Sequence, residues 1–274
     1  MIDVRIWFGF AVAILAAFQA QPASAQQKIM IDGSTGTAPL VAALAKAHAA
    51  QGGSAIEIGK GLGTRARFDA LAGGKIDIAM ASHGLKVDDV TRRGMTVYRI
   101  AKTAVVFATH ASAKVSGLSE AQICAIYEGR HRNWKELGGA DLAIVAHARP
   151  DSEVDTEIIR DTIVCLKSMK FPEAVKIMAR AGDMARALSQ TAGAFGVTSA
   201  TLVEQSKGAL TALQMNGVAP SEANVVAGRY GLIRDAFLVT RNDASAEIMA
   251  FVAFVRGAAG TAIIRANGAI AVAK

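Results

Sequence analysis

Gly33-Ser34-Thr35-Gly36-Thr37-Ala38-Pro39-Leu40 is the stretch from which the fold of this 274-residue chain can be read. Lys28-Ile29-Met30-Ile31 before it has the composition of a short buried strand. After it, Leu40, Val41, Leu44 and Ala47 recur at helical spacing. The stretch is therefore a loop that carries the chain from a strand into a helix. Thr37 is placed as the N-cap, and Pro39 suits a first turn, where the missing N–H costs little. Glycines let backbone amides converge, and a helix start adds the positive end of a dipole. With the hydroxyls of Ser34 and Thr35, this set suits an anion bearing several oxygens. A plain strand-to-helix turn that binds nothing fits the same residues.

The pattern repeats downstream. Ala55-Ile56-Glu57-Ile58 reads as a second strand running into Gly59-Lys60-Gly61-Leu62-Gly63-Thr64, followed by a helix marked by Phe68, Leu71 and Ala72 and ended by Gly73-Gly74. A third strand, Ile76 to Met80, closes at Ala81-Ser82-His83. Strand–helix alternation indicates an α/β fold with a mainly parallel sheet, whose ligands gather beyond the carboxyl ends of the strands. Further on, Ala104 to Ala108 is a strongly apolar strand. Ser119 and Gln122 form a capping box for a helix through Ile123, Ile126 and Tyr127. Asn133 to Gly139 is a compact polar turn around Trp134. The strand Ala143 to Ala146 delivers Arg149-Pro150-Asp151-Ser152-Glu153-Val154-Asp155-Thr156 to a helix containing Ile158, Ile159, Thr162 and Leu166. Arg149 offers the paired donors best shaped for a tetrahedral oxyanion; a salt bridge to Asp151 or Glu153 accounts for it equally well. Gly193 to Val197 and Ala236 to Thr240 read as further strands. Ile248, Phe251, Val252 and Val255 define an amphipathic helix stopped by Gly257.

Composition bounds the function. The net charge is +7 and aromatics make up 5% of residues. Without a dense Lys/Arg run, this charge reads as a solvated, mildly anion-attracting surface rather than a nucleic-acid interface. At the N-terminus, Arg5, an apolar run from Ile6 to Phe18 and the small residues Ala23-Ser24-Ala25 form a secretory signal peptide over residues 1–25, cut after Ala25. Export places Cys124 and Cys165 in an oxidising compartment. They are a candidate disulfide, valued at roughly 4 kcal/mol by the chain-entropy model; two separate buried thiols are the alternative. His48, His110, His131 and His147 have no metal-ligand spacing, and no cofactor is expected.

The order of these motifs resembles the phosphate-binding proteins of ABC importers, in the type 2 periplasmic binding protein class. The carrying residues are Gly33-Ser34-Thr35 with Ala38-Pro39-Leu40, Gly61 to Thr64, Asp77 to Ser82, Asn133 to Gly139, and Asn216-Gly217-Val218-Ala219-Pro220. The resemblance implies an α/β fold of two lobes joined by two crossover strands, with a ligand cleft between them. Lobe one would be 27–102 with 232–274, and lobe two 103–231. It places ligand contacts on Thr35, Gly36, Thr64, Ser82 and Arg149, with Ser34, His83, Ser152 and Thr156 as further candidates. It implies a periplasmic monomer that captures phosphate or a related oxyanion for ABC importer membrane subunits, with no enzymatic activity. The sequence departs from the family where a glycine-rich turn usually follows the arginine. Ser152-Glu153-Val154-Asp155-Thr156 stands there, and its two carboxylates would repel a dianion unless they point away or accept the ligand's proton. His83 replaces an aspartate used by some members. A periplasmic sensor or assembly partner on the same fold is the runner-up. A hydrolase built on Ser34 and His83 is the least supported reading.

Overall fold

The computed structural model describes residues 28–272. The signal peptide expected over residues 1–25 lies outside the described residues.

The chain begins with β1 (Ile29–Gly33), α1 (Ala38–Ala50), β2 (Ile56–Ile58), α2 (Thr64–Ala72), β3 (Ile78–Ser82) and α3 (Val87–Thr91). The long strand β4 (Met95–His110) then leads to β5 (Gly117–Leu118), α4 (Glu120–Tyr127), β6 (Val145–Ala148), α5 (Val154–Thr162), β7 (Lys176–Ile177) and α6 (Ala181–Gln190). Next come β8 (Ala194–Ser199), α7 (Ala200–Gln205), β9 (Leu210–Ala212), β10 (Gln214–Met215) and α8 (Glu222–Val226). The chain returns through β11 (Ile233–Arg241) and closes with α9 (Ala246–Arg256), α10 (Ala258–Ala266) and β12 (Ile270–Ala271).

The main sheet runs in the order β2-β1-β3-β11-β4-β8-β6-β7. β1 pairs with β2 and β3 in parallel, so their carboxyl ends lie along one edge. β6, β7 and β8 are likewise parallel to one another. Between the two groups stand the antiparallel β4 and β11. These two strands pass through both halves of the molecule. In β4, Ile100 and Ala101 pack with Ile31, Leu44 and Phe251, whereas Val105 to Ala108 pack with Tyr127, Trp134 and Phe195. The fold is thus two-lobed, with separate apolar cores joined by two crossover strands. A smaller cluster of Phe68, Leu71 and Val239 covers the other face of the first lobe's sheet.

Local chemistry accounts for most elements. Gly33 has φ +139°, and a Cβ there would meet the Met80 carbonyl oxygen at 2.2 Å, so the turn out of β1 requires glycine. The capping box on α4 forms as expected, with Ser119 accepting from Gln122 N and Gln122 accepting from Ser119 N. Trp134 is fully buried and donates to Gly193 O at 2.9 Å. Cys124 of α4 is bonded to Cys165, with 6.2 Å between the Cα atoms.

Two expectations need correction, the reach of α5 and the cap of α1. The helix expected to reach Leu166 ends at Thr162, and Val164–Leu166 is a separate turn of 3-10 helix. The β-branched run Thr162-Ile163-Val164 explains the break, because stiff side chains at χ1 disfavour continuing a helix. Gly257 stops α9 as expected, and α10 starts immediately after it, at a 60° bend. Thr37 occupies the N-cap of α1 without capping it: its hydroxyl donates to Ala81 O on β3.

Candidate functional site

A cavity of about 460 Å³ opens at the carboxyl-end edge of β1 and β2. The first lobe contributes Gly33 to Gly36, Lys60 to Thr64, and Arg67. The second contributes Ser152, Glu153, Val154, Ala179 and Arg180; Arg234 comes from the start of β11.

Helix starts surround this space. Residues 33–36 lead into α1, 60–63 into α2, 152–153 into α5 and 179–180 into α6. None of these four helices has a side chain capping its N-terminus. Of the helices that start elsewhere, α4, α7, α8 and α9 are each capped by a serine, and α3 and α10 are uncapped. A helix start without a cap keeps amide donors free and presents the positive end of its dipole. In the first loop, Thr37 N and Ala38 N donate to Ser34 O, while Ser34 N donates to Met80 O. The amides of Thr35 and Gly36 take no part in closing that turn. Asp32 Oδ1 accepts from Gly33 N and Gly61 N, fastening the first two loops together.

The charges are unevenly balanced. Glu153 pairs with Arg149, and Asp155 pairs with Arg234. Lys60, Arg67 and Arg180 line the cavity with no carboxylate partner among the described residues. Arg67 is buried; it donates to Met80 O at 3.0 Å and to Thr64 Oγ1 at 3.3 Å. Burial lowers its pKa, opposed by the charges of Glu153 and Asp32. A buried cation with no carboxylate in direct contact is costly, and an incoming anion relieves that cost.

The structure brings some of the sequence candidates together and leaves others apart. Ser34, Thr35, Gly36, Thr64 and Ser152 line the cavity. Arg149 lies behind it, 1% exposed, donating to Met178 O, to Glu153 and, across the lobes, to Thr35 Oγ1 at 3.3 Å. Thr156 is buried and donates to Arg149 O, which secures the loop. Ser82 and His83 are not part of the lining: Ser82 is buried with its hydroxyl on Asp235 O, and His83 is exposed. Lys60, Arg67, Arg180 and Arg234 line the cavity without having been expected there from the sequence, and Glu153, expected as a misfit beside an anion, lines it too. A visible signal was that Lys60 and Arg67 flank a glycine-rich strand-to-helix passage.

This architecture sets helix starts and cations from two α/β lobes around one shared cavity, the arrangement of a two-lobed periplasmic-binding-protein fold. The chain belongs to the PBP superfamily, whose domain profile matches residues 19–258. It is similar to the phosphate-binding protein PstS of Bacillus subtilis, at 25% identity over 85% of this chain and 76% of that protein. It is also similar to PstS of Borreliella burgdorferi, at 23% over 70% and 71% of the two chains. Among solved structures, a candidate phosphate ABC transporter substrate-binding protein from Clostridium perfringens, with bound phosphate, superposes at a TM-score of 0.71. It is 26% identical, covering 90% of this chain and 100% of that one. An ABC-type phosphate transport receptor from Vibrio cholerae shares the fold at a TM-score of 0.59 and 23% identity, covering 89% and 100%.

Proposed function

We propose that this protein captures phosphate or a closely related tetrahedral oxyanion between its lobes and hands it to the membrane subunits of an ABC importer. The observation that carries this reading is the convergence of four uncapped helix starts and three cations without carboxylate partners on one cavity. Amides, hydroxyls and guanidinium groups replace the anion's hydration shell, and lobe closure excludes water. In this reading the protein is an exported monomer working in the periplasm after removal of residues 1–25, and it binds its ligand without transforming it. The division into lobe one (27–102 with 232–274) and lobe two (103–231) is supported by the separate apolar cores on either side of β4 and β11. The ligand contacts are drawn from Ser34, Thr35, Gly36, Thr64, Ser152 and Arg149, joined by Arg67 and Arg180.

A thermal-shift panel on refolded, ligand-free protein tests this. Ligand that binds only the native state raises the melting temperature by mass action. Phosphate and arsenate are expected to raise it more than sulfate, molybdate or tungstate. A flat response to all five removes the oxyanion reading and favours a sensor or assembly role for the fold.

A further inference from the structure

In the arrangement described above, Arg149 Nη2 is already occupied by a carboxylate of the same chain. Glu153 Oε2 lies 2.5 Å from Arg149 Nη2. The arginine side chain is 1% exposed and the glutamate 30% exposed. Glu153 lines the cavity, whereas Arg149 does not. The glutamate thus belongs to the cavity lining while its carboxylate is engaged by the guanidinium. The remaining guanidinium contacts go to Met178 O at 3.1 Å and Thr35 Oγ1 at 3.3 Å.

Glu153 is also the N-cap residue of α5, yet its carboxylate does not cap that helix. It turns instead to Arg149, where it makes a charge-assisted hydrogen bond of the kind an oxyanion makes. A carboxylate and an incoming oxyanion repel each other, and both cannot share the same donors.

We propose that Glu153 is a built-in competitor: its carboxylate holds the place on Arg149 that a bound oxyanion would take, and ligand enters by displacing it. This deepens the phosphate reading and rests on it. When Glu153 rotates away, Arg149 and the first amides of α5 face the ligand together. The glutamate then sets the affinity of the site, because part of the ligand's binding free energy is used to break the internal ion pair. Lys60, Arg67 and Arg180, which have no carboxylate partner among the described residues, make the first encounter while Arg149 is still occupied.

The test uses Glu153→Gln and Glu153→Ala in the full mature chain, freed of ligand by unfolding and refolding. Calorimetric titration with inorganic phosphate should show Glu153→Gln binding about tenfold or more tightly than the unsubstituted protein. Equal or weaker binding by Glu153→Gln overturns the competitor role and leaves the phosphate reading standing; weaker binding would mark Glu153 as an acceptor for the ligand's proton. Should neither protein bind phosphate, the phosphate reading falls and formate decides the role of Glu153. As a small free carboxylate, formate should raise the melting temperature of Glu153→Ala and leave the unsubstituted protein unmoved. Formate acting alike on both would then refute self-occupation.

Discussion

Asp155, at the start of α5 in the second lobe, is ion-paired with Arg234, at the start of β11, and both side chains are 4% exposed. Arg234 Nη2 also donates to Gly36 O at 2.8 Å in the first loop. A Cβ on Gly36 would meet Arg234 Nη1 at 2.3 Å, so the glycine makes room for this guanidinium. One arginine therefore joins a helix start of one lobe to the anion loop of the other. Breaking a buried pair leaves an uncompensated charge, at a cost of about 3–5 kcal/mol. Asp155→Ala should lower unfolding free energy by that order in urea denaturation. A midpoint unchanged from the parent protein would mean that the pair contributes little.

Arg149→Ala should cost both binding and stability. On sequence alone, the expectation is lost anion binding with an intact fold. The burial of Arg149 and its bonds to Met178 O and Glu153 change that expectation. Losing hydrogen bonds to a buried charged group costs about 1.5–3 kcal/mol. Calorimetry should show phosphate binding weakened a hundredfold or more, about 3 kcal/mol or more, and urea titration should show the stability loss. Unaltered affinity would remove Arg149 from the site.

Arg67→Ala and Arg180→Ala probe two cavity cations that pair with no carboxylate among the described residues. Each is expected to weaken phosphate binding about tenfold to a hundredfold, the range for hydrogen bonds to charged groups. The effect should shrink in high salt for Arg180 more than for buried Arg67, because exposed charges are screened more strongly. If both substitutions left affinity untouched, the anion would have to bind elsewhere.

The Cys124–Cys165 bond spans 41 residues, for which chain entropy alone gives about 4 kcal/mol. Reduction, or Cys124→Ser, should lower the urea midpoint by a corresponding amount. Coincident curves with and without reductant would contradict a bonded pair.

His147 gives the protein a pH dependence of known sign. It is 2% exposed, and burial lowers its pKa, aided by the charge of Lys176 and opposed by hydrogen bonds to Val145 and Phe195. The unfolded chain therefore binds a proton that the folded chain resists. Its stabilising contribution is present above the unfolded value of about 6.5 and fades as pH falls toward the folded value. Stability measured by urea unfolding should decline from pH 7 to pH 5, and His147→Gln should flatten that decline. A profile identical in the variant would assign the dependence to other groups.

The elements nearest the first loop were legible because their signals are local. Glycine at Gly33, proline at Pro39 and the apolar spacing of Leu40, Val41 and Leu44 each act within a turn or two. Trp134 and the capping box of Ser119 and Gln122 were legible for the same reason. The placement of Arg180 was not. It depends on β6 and β7 running parallel, with Ala148 beside Ile177, so that the loops at 149–153 and 178–180 leave the same edge. Nor was the position of Ser82, whose hydroxyl bonds to Asp235 O across the pairing of β3 with β11. The two carboxylates of the departing turn presented a conflict in the sequence. The structure resolves it by giving each an arginine, Arg149 for Glu153 and Arg234 for Asp155.

Equilibrium dialysis of refolded, ligand-free protein against labelled inorganic phosphate tests the central claim most directly. Saturable retention of one phosphate per chain, lost in Arg149→Ala, is the predicted result. No retention above the protein-free compartment, at phosphate concentrations reaching the millimolar range (about 4 kcal/mol of binding free energy), would contradict it.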